Sequence, residues 1–182
     1  MSGACVAASG TVTVPTHRQN QRVGMDWTLQ LLVVRDAAIA MLLGGVIGFE
    51  RELKNRPAGF RTHMLVGGAA ALLVGLGQLV IIDHRLDSEL RLTIDPLRLV
   101  EAVIAGVSFI GAGTIFARRG SQVVVGITTA ATILMVAVIG VMCGFRYHLL
   151  AGLSTALTLL ILTAINWIER RIPGDDKRDK AD

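Results

Sequence analysis

The chain has 182 residues, of which 52% are apolar and only 18% are charged, and its mean hydropathy is +0.58. A soluble domain carries about 25% charged residues, and here the apolar residues also collect in long runs, so the composition excludes an ordinary soluble protein. The net charge of +4 does not indicate nucleic-acid binding, because the basic residues flank the apolar runs and form no single patch.

The first segment, residues 1–24, is predicted to be a disordered extension. It lacks a basic start, and its apolar runs are too short for the core of a signal peptide. Met25 is followed at once by Asp26 and Trp27, so our hypothesis is that translation begins at Met25. Mass spectrometry of the natural N-terminus tests it, and a peptide from residues 1–24 would refute it.

Five apolar stretches follow, and each is close to the roughly 20 residues that a helix needs to cross a bilayer. The sequence therefore predicts an all-α membrane protein, a bundle of five transmembrane helices that forms one domain over residues 25–168. A charged cytoplasmic tail is predicted for residues 169–182. The predicted spans are 27–49, 64–82, 99–117, 123–143 and 149–168.

The Lys and Arg residues are divided unequally between the two sides of these spans. One side, which includes the connector after the first span and the tail, holds eleven of them, and the other side holds six. Cytoplasmic loops carry the excess of Lys and Arg. We therefore expect the N-terminus outside the cell and the C-terminus in the cytoplasm.

Asp36 is the most unusual residue of the first span, because it lies close to the middle of the predicted apolar stretch. An ionised carboxylate there costs about 3 kcal/mol on insertion scales unless it is paired or hydrated. Two interpretations stay open. Asp36 is either part of a structural Asp–Arg arrangement that a neighbouring helix completes, or a proton- or cation-responsive group that faces the bundle interior.

Small residues recur at steps of four on the first three helices, which is typical of helix contacts in lipid. The ridges, each with a polar residue, are Asp36, Ala40, Gly44 and Gly48 on the first helix, Gly67, Ala71, Gly75 and Gln78 on the second, and Glu101, Ala105, Ser108 and Ala112 on the third. The predicted packing glycines are Gly44, Gly48, Gly67, Gly75, Gly106, Gly111 and Gly113. Each ridge is accompanied by polar residues, so tight packing and a functional cavity are both open interpretations, although Glu101 is expected at the membrane interface. The candidate intramembrane polar site consists of Asp36, Gln78, Glu101, Ser108, Thr128 and Thr129.

The sequence shows no catalytic or metal-binding motif that would indicate an enzyme. The sequence has no phosphate-binding GxxxxGK[ST] loop, no HExxH zinc motif and no GxSxG nucleophile elbow. The carboxylates Asp36, Glu50 and Glu101 lie at different predicted depths, whereas a Mg²⁺ site needs several oxygen ligands together. We therefore predict no catalytic residue, no cofactor and no resident metal ion.

The connector between the first two helices, in the stretch GFERELKNRPAGFRTHML, interleaves acidic and basic residues around a Pro–Gly break. One interpretation is a positive-inside connector in which Glu50 pairs with Arg56 or Arg61 and staples the two helices. The other is a surface that docks partner proteins or anionic lipids, and the two are compatible. The candidate docking turn consists of Glu50, Arg51, Glu52, Arg56, Pro57, Gly59, Arg61 and Thr62.

Three stretches in order resemble the MgtC/SapB family of bacterial inner-membrane proteins: GGVIGFERELKNRPAGFRTHMLVGGAAAL, DPLRLVEAVIAGVSFIGAGTIFARRG and GITTAATILMVAVIG. The resemblance implies a five-helix bundle and a role under magnesium limitation, acid stress and virulence conditions. It also implies regulation by binding other membrane proteins, including the ATP synthase. Val125 and Leu134 stand where the family often has Arg and Trp, which weakens any partner contact that needs those groups.

The chain resembles the short SapB type, without the cytoplasmic domain that MgtC adds after its last helix, so functions that need that domain are not expected. The leading hypothesis is a non-enzymatic regulator that contacts membrane lipids and other inner-membrane proteins and binds no nucleic acid. The first rival is a Mg²⁺ or H⁺ transporter or channel, built as a homodimer around Asp36. The second is a purely structural or lipid-organising protein.

Overall fold

The computed structural model describes residues 27–82, 95–117 and 124–171 of the chain. These residues form five helices and one small hairpin, which confirms the predicted all-α bundle of five helices. The helices are α1 (Trp27–Leu53), α2 (Phe60–Ile82), α3 (Pro96–Thr114), α4 (Ile127–Gly144) and α5 (His148–Arg171). The hairpin strands between α3 and α4 are β1 (Phe116–Ala117) and β2 (Val124–Val125).

Four of the helices, α1 to α4, are long and apolar enough to cross a membrane. Residues His148–Ala164 of α5 form a shorter apolar stretch, and the helical backbone of α5 continues to Arg171. The last helix thus includes residues 169–171 of the predicted tail. The predicted extension 1–24 and the rest of the tail lie outside the described residues. The orientation of the termini stays a prediction.

The connector between α1 and α2 is much shorter than the sequence indicated, because both helices extend past their apolar spans. The N–H of Arg56 donates to the carbonyl of Arg51, and the N–H of Asn55 donates to that of Glu52. Asn55 has a φ of 51°, the left-handed conformation that closes a helix in this hydrogen-bond pattern and that Asn tolerates well. The acidic and basic residues Glu50, Arg51 and Glu52 therefore belong to the last turns of α1.

The third span and the start of the fourth were predicted wrongly. Helix α3 begins three residues earlier than predicted, since Asp95 caps it by accepting a hydrogen bond from Leu97 N at 2.9 Å. Residues 116–117, predicted as helix, pair as an antiparallel hairpin with Val124 and Val125, the residues before α4. Gly126 then starts α4 with a φ of 95°, and an added Cβ there would collide with the backbone of α3's last residue.

The core lies between α1, α2 and α4. Ala40 and Ile47 of α1 pack with Val136 and Ile139 of α4 in one buried cluster. The small-residue ridges predicted on α1 and α2 face this core, since Ala40, Gly44, Gly48, Gly67, Ala71 and Gly75 are all buried. These two helices therefore pack through close backbone approach, as the sequence indicated.

The ridge predicted on α3 does not face the core. Glu101, Ala105, Ser108 and Ala112 are all exposed, and α3 packs on α4 through Val103, Val107 and Gly111. The prediction failed because small residues at steps of four also occur on a helix face that no other helix of the chain covers. On α3 the larger Val side chains make the contact, and this helix has the smallest buried share of the four spans.

Candidate functional site

A set of buried polar side chains at one end of the bundle connects α1 to α4. The side chain of Arg51, in the last turns of α1, is 3% exposed. Its Nη2 donates a hydrogen bond to Oγ1 of Thr129, in the first turn of α4, at 2.9 Å. A hydrogen bond to a charged group is stronger than a neutral one, so this contact fixes the relative position of the two helix ends.

His63 continues this group from α2. Its fully buried ring places Nδ1 2.9 Å from the carbonyl oxygen of Gly59 and Nε2 3.4 Å from Oγ1 of Thr132. A carbonyl oxygen only accepts, so Nδ1 carries the proton. The hydroxyl of Thr132 also lies 2.9 Å from the carbonyl oxygen of Thr129. We call Arg51, His63, Thr129 and Thr132 the Arg51 cluster.

Close packing of α1 on α2 brings these polar groups together. A Cβ added to Gly48 would lie 2.8 Å from Cα of Phe60 and 2.9 Å from Cβ of His63. A Cβ added to Gly44 would lie 2.7 Å from the carbonyl oxygen of His63. All three distances are shorter than real Cβ contacts, so any larger residue at either position would push α2, and His63 with it, away from α1.

The other predicted packing glycines divide into two groups. A Cβ on Gly67 would lie 3.0 Å from the carbonyl oxygen of Ala40, and one on Gly75 would lie 2.5 Å from Cγ1 of Val33, so both support close packing. Gly111 has ordinary contacts with α4. A Cβ at Gly106 or Gly113 would meet nothing within 4 Å, so the packing role predicted for these two is not seen.

The predicted staple between the first two helices exists, but with other partners. Glu50 pairs with Lys54, the residue directly after α1, and Lys54 Nζ also donates to the carbonyl oxygen of Leu162 on α5 at 3.2 Å. The predicted pairing of Glu50 with Arg56 or Arg61 is therefore wrong. Glu52 is the acidic residue that links the end of α1 to the start of α2, since its Oε2 accepts a hydrogen bond from the N–H of Phe60 at 2.8 Å.

The predicted docking turn thus separates into inward and outward residues. Arg51 is buried, Thr62 and Gly59 are half-buried, and Glu50 and Glu52 are engaged in the contacts just described. Arg56, Pro57 and Arg61 are exposed, and no ion pair involves either arginine in the described part of the chain. We call these three residues the exposed turn. It leaves two cationic side chains available to a partner.

Asp36 belongs to a second set of charged side chains, at the opposite end of the bundle. Its carboxylate is 3% exposed and its Oδ1 accepts hydrogen bonds from Nε and Nη2 of Arg35 at 3.0 and 2.7 Å. Arg146 Nε lies 3.4 Å from Oδ2, and His148 Nε2 lies 3.4 Å from Oδ1. This is the geometry of the structural interpretation, in which a neighbouring element completes an Asp–Arg arrangement. We call these four residues the Asp36 cluster.

The partners of Asp36 also correct its predicted depth. Arg146 belongs to the turn between α4 and α5, and His148 is the first residue of α5. Asp36 therefore lies level with a helix–helix turn and not at the middle of the apolar core. The position was misjudged because α1 extends beyond the α4–α5 turn, which the sequence of α1 alone does not reveal.

The candidate intramembrane polar site is not assembled within one chain. Thr129 belongs to the Arg51 cluster, at the end of the bundle remote from Asp36. Glu101, Ser108 and Thr128 are exposed, and Gln78 is half-buried on α2. These residues therefore do not form one cavity in the described part of the chain.

Sequence reasoning missed four residues that the structure places in these clusters, His63, Thr132, Arg146 and His148, and also Lys54, which contacts Glu50 and α5. The four-residue step from Gly59 to His63 was a usable signal, because a side chain at the start of a helix can bond the carbonyl one turn earlier. Arg146 and His148 gave no such signal, since only the packing of α1 beside the α4–α5 turn brings them to Asp36.

Comparison with known proteins finds a family and several relatives by sequence. A model of the MgtC family matches residues 38–171. Protein SapB of Bacillus subtilis is 34% identical over 156 residues, 86% of this chain and 66% of its own length. No solved structure matches the chain.

Two further relatives carry different names. A protein of Escherichia coli K12 named putative magnesium transporter YhiD is 35% identical over 139 residues, 74% of this chain and 60% of its own length. Protein MgtC of Brucella abortus is 38% identical over 133 residues, 72% of this chain and 48% of its own length. The chain thus spans two thirds or less of the length of these three relatives.

Proposed function

This chain belongs to the MgtC family of membrane proteins, and from that premise we propose that it is a non-enzymatic regulator of the bacterial inner membrane. It acts by contacting other membrane proteins when magnesium is limiting or the medium is acid. The ATP synthase is one such partner that the family resemblance implies. The physical support comes from the connector stretch between α1 and α2, in which some charged residues are buried and others are exposed.

The observation that carries the proposal is the exposed turn. Arg56 lies on the short connector and Arg61 in the first turn of α2. The connector backbone is fixed on one side by the helix end at Asn55 and on the other by the hydrogen bond from the N–H of Phe60 to Glu52. A rigid connector loses little conformational entropy when a partner binds. Two unpaired guanidinium groups on such a connector suit bidentate contacts with carboxylates of a partner protein.

The Arg51 cluster supports the proposal because it fixes the backbone on both sides of the exposed turn. Arg51 lies five residues before Arg56 and is anchored to α4, while His63 lies just after Arg61 and is anchored to both Gly59 and α4. The turn is therefore bracketed by buried polar contacts. Such a frame orients a recognition surface, and it needs no transported ion or chemical step.

The test is crosslinking in living cells from the full-length chain with a photoreactive residue at position 56. We expect capture of a small set of membrane proteins that is reduced when Arg61 is replaced by Ala. The matched control places the same photoreactive residue at the exposed Tyr147, in the turn at the opposite end. If both positions capture the same proteins, or if position 56 captures none, the proposal is refuted.

The second candidate is transport of Mg²⁺ or H⁺ around Asp36. It is favoured by the burial of this carboxylate beside His148 and by the word transporter in the name of the YhiD relative. The two arginines on Asp36 weigh against it, because they compete directly with a cation. Ion flux into proteoliposomes that Asp36→Asn abolishes would favour transport over regulation.

A further inference from the structure

An apolar groove runs along one outer side of α1 and α2 and ends at Phe60, the residue before Arg61 of the exposed turn. Its volume is about 250 Å³, and Met41, Gly45 and Phe49 of α1 line it together with Phe60 and Met64 of α2. Gly45 makes the groove possible, since an added Cβ would lie 3.1 Å from both the Phe60 ring and Cγ of Met64.

The length of the groove fits one leaflet of a bilayer. From Met41 to Phe49 the helix rises about 12 Å, and the hydrocarbon part of one leaflet is about 15 Å thick, half of the full core. The groove therefore extends from near the middle of the apolar core to the end of the bundle where the polar connector begins. An extended acyl chain has the chemistry and the direction to fill it.

The charges at the polar end of the groove favour an anionic headgroup. Phe60, which lines the groove, is followed directly by the exposed Arg61 in the first turn of α2, and Arg56 lies on the connector before α2. Of the nearby carboxylates, Glu50 is paired with Lys54, and Glu52 accepts a hydrogen bond from the N–H of Phe60. Two cationic side chains without a partner among the described residues thus lie where a lipid phosphate would be.

We propose that the α1–α2 groove and the two arginines of the exposed turn form a binding site for one anionic glycerophospholipid. An acyl chain lies in the groove, and the phosphate contacts Arg56 and Arg61. Guanidinium groups bind phosphate oxygens well, and each basic side chain near a membrane surface contributes about 1 kcal/mol toward anionic lipid, or roughly five-fold in binding. A lipid phosphate and the carboxylates of a partner protein would use the same two arginines, whereas the groove itself does not depend on the proposed contacts with partner proteins.

The test measures fluorescence quenching by lipids with brominated acyl chains, using the purified full chain in vesicles. Trp27 and Trp167 are replaced by Phe, and Phe49→Trp places one indole on the wall of the groove. We expect brominated phosphatidylglycerol to quench this indole more strongly than brominated phosphatidylcholine. Replacing Arg56 and Arg61 with Gln should lower that preference about five-fold for each arginine, while replacing both with Lys should retain it.

The control variant is Leu153→Trp in the same background, because Leu153 is exposed on α5 and does not line the groove. Its indole should show no preference between the two lipids. Equal preference at positions 49 and 153, or a preference at 49 that survives the Gln substitutions, would overturn the site. Since no partner protein is present, failure here leaves the proposed regulatory contacts to be judged by the crosslinking result.

Discussion

The contact between Arg51 and Thr129 should contribute measurably to the stability of the bundle. Replacing Thr129 with Val keeps the side-chain shape but removes the acceptor, which leaves the Nη2 of a buried cation without this partner. A hydrogen bond to a charged group contributes about 1.5–3 kcal/mol. At about 2–4 °C per kcal/mol for a chain of this size, Thr129→Val should lower the melting temperature by about 3–12 °C.

A double-mutant cycle separates this contact from other effects of the substitution. Arg51→Met removes the cation and keeps much of the apolar stem, and the double variant Arg51→Met/Thr129→Val removes both partners. We expect a coupling energy of about 1.5 kcal/mol or more from thermal unfolding in detergent. Arg56→Met, at an exposed position, is the matched control and should show no coupling with Thr129→Val. Additivity of the Arg51 and Thr129 variants within about 0.5 kcal/mol would refute the reasoning.

Three further predictions follow from single positions. Gly48→Ala should destabilise the bundle by about 1–3 kcal/mol, because its Cβ would overlap the α2 backbone, whereas Gly106→Ala should change stability by less than about 0.5 kcal/mol; equal melting temperatures would contradict this. Arg146 has a φ of 66°, so Arg146→Gly should be more stable than Arg146→Ala by about 1 kcal/mol, and thermal unfolding that ranks the two the other way would count against the strained turn. With Cys5 and Cys143 replaced by Ser, a cysteine at Arg56 should react with a membrane-impermeant maleimide only after the cells are opened; labelling in intact cells would reverse the predicted orientation.

The sequence predicted the α1–α2 pair well because one physical requirement dominates there. In lipid, two helices approach closely only where both carry small residues, and the ridge from Gly44 to Gly48 matches the positions where an added Cβ would collide with α2. The connector between these helices was also visible in its charges. The positions where the helices end and begin beside this connector were not visible in the sequence. They depend on the left-handed conformation of Asn55 and on the hydrogen bond from the N–H of Phe60 to Glu52.

The sequence was a poor guide where a contact joins elements that are distant along the chain. Thr129 was selected for the intramembrane polar site, but its actual partner, Arg51, is 78 residues away. Asp36 meets Arg146 and His148 only through the packing of α1 beside the α4–α5 turn. On α3 the sequence predicted a helix contact that the structure does not show. A periodic pattern of small residues has the same appearance whether it faces protein or lipid.

The positions of the two charged clusters bear on the choice between regulation and transport. Asp36 and Arg51 lie on the same helix, about 22 Å apart along its axis, which is most of the hydrocarbon thickness of about 30 Å. Between them, the buried face of α1 packs tightly against Val136 and Ile139 of α4. An ion that moved from one cluster to the other within a single chain would have to separate these side chains. The charged residues instead fix the two ends of the bundle, so the contacts that matter for function are expected at its ends and on its outer surface.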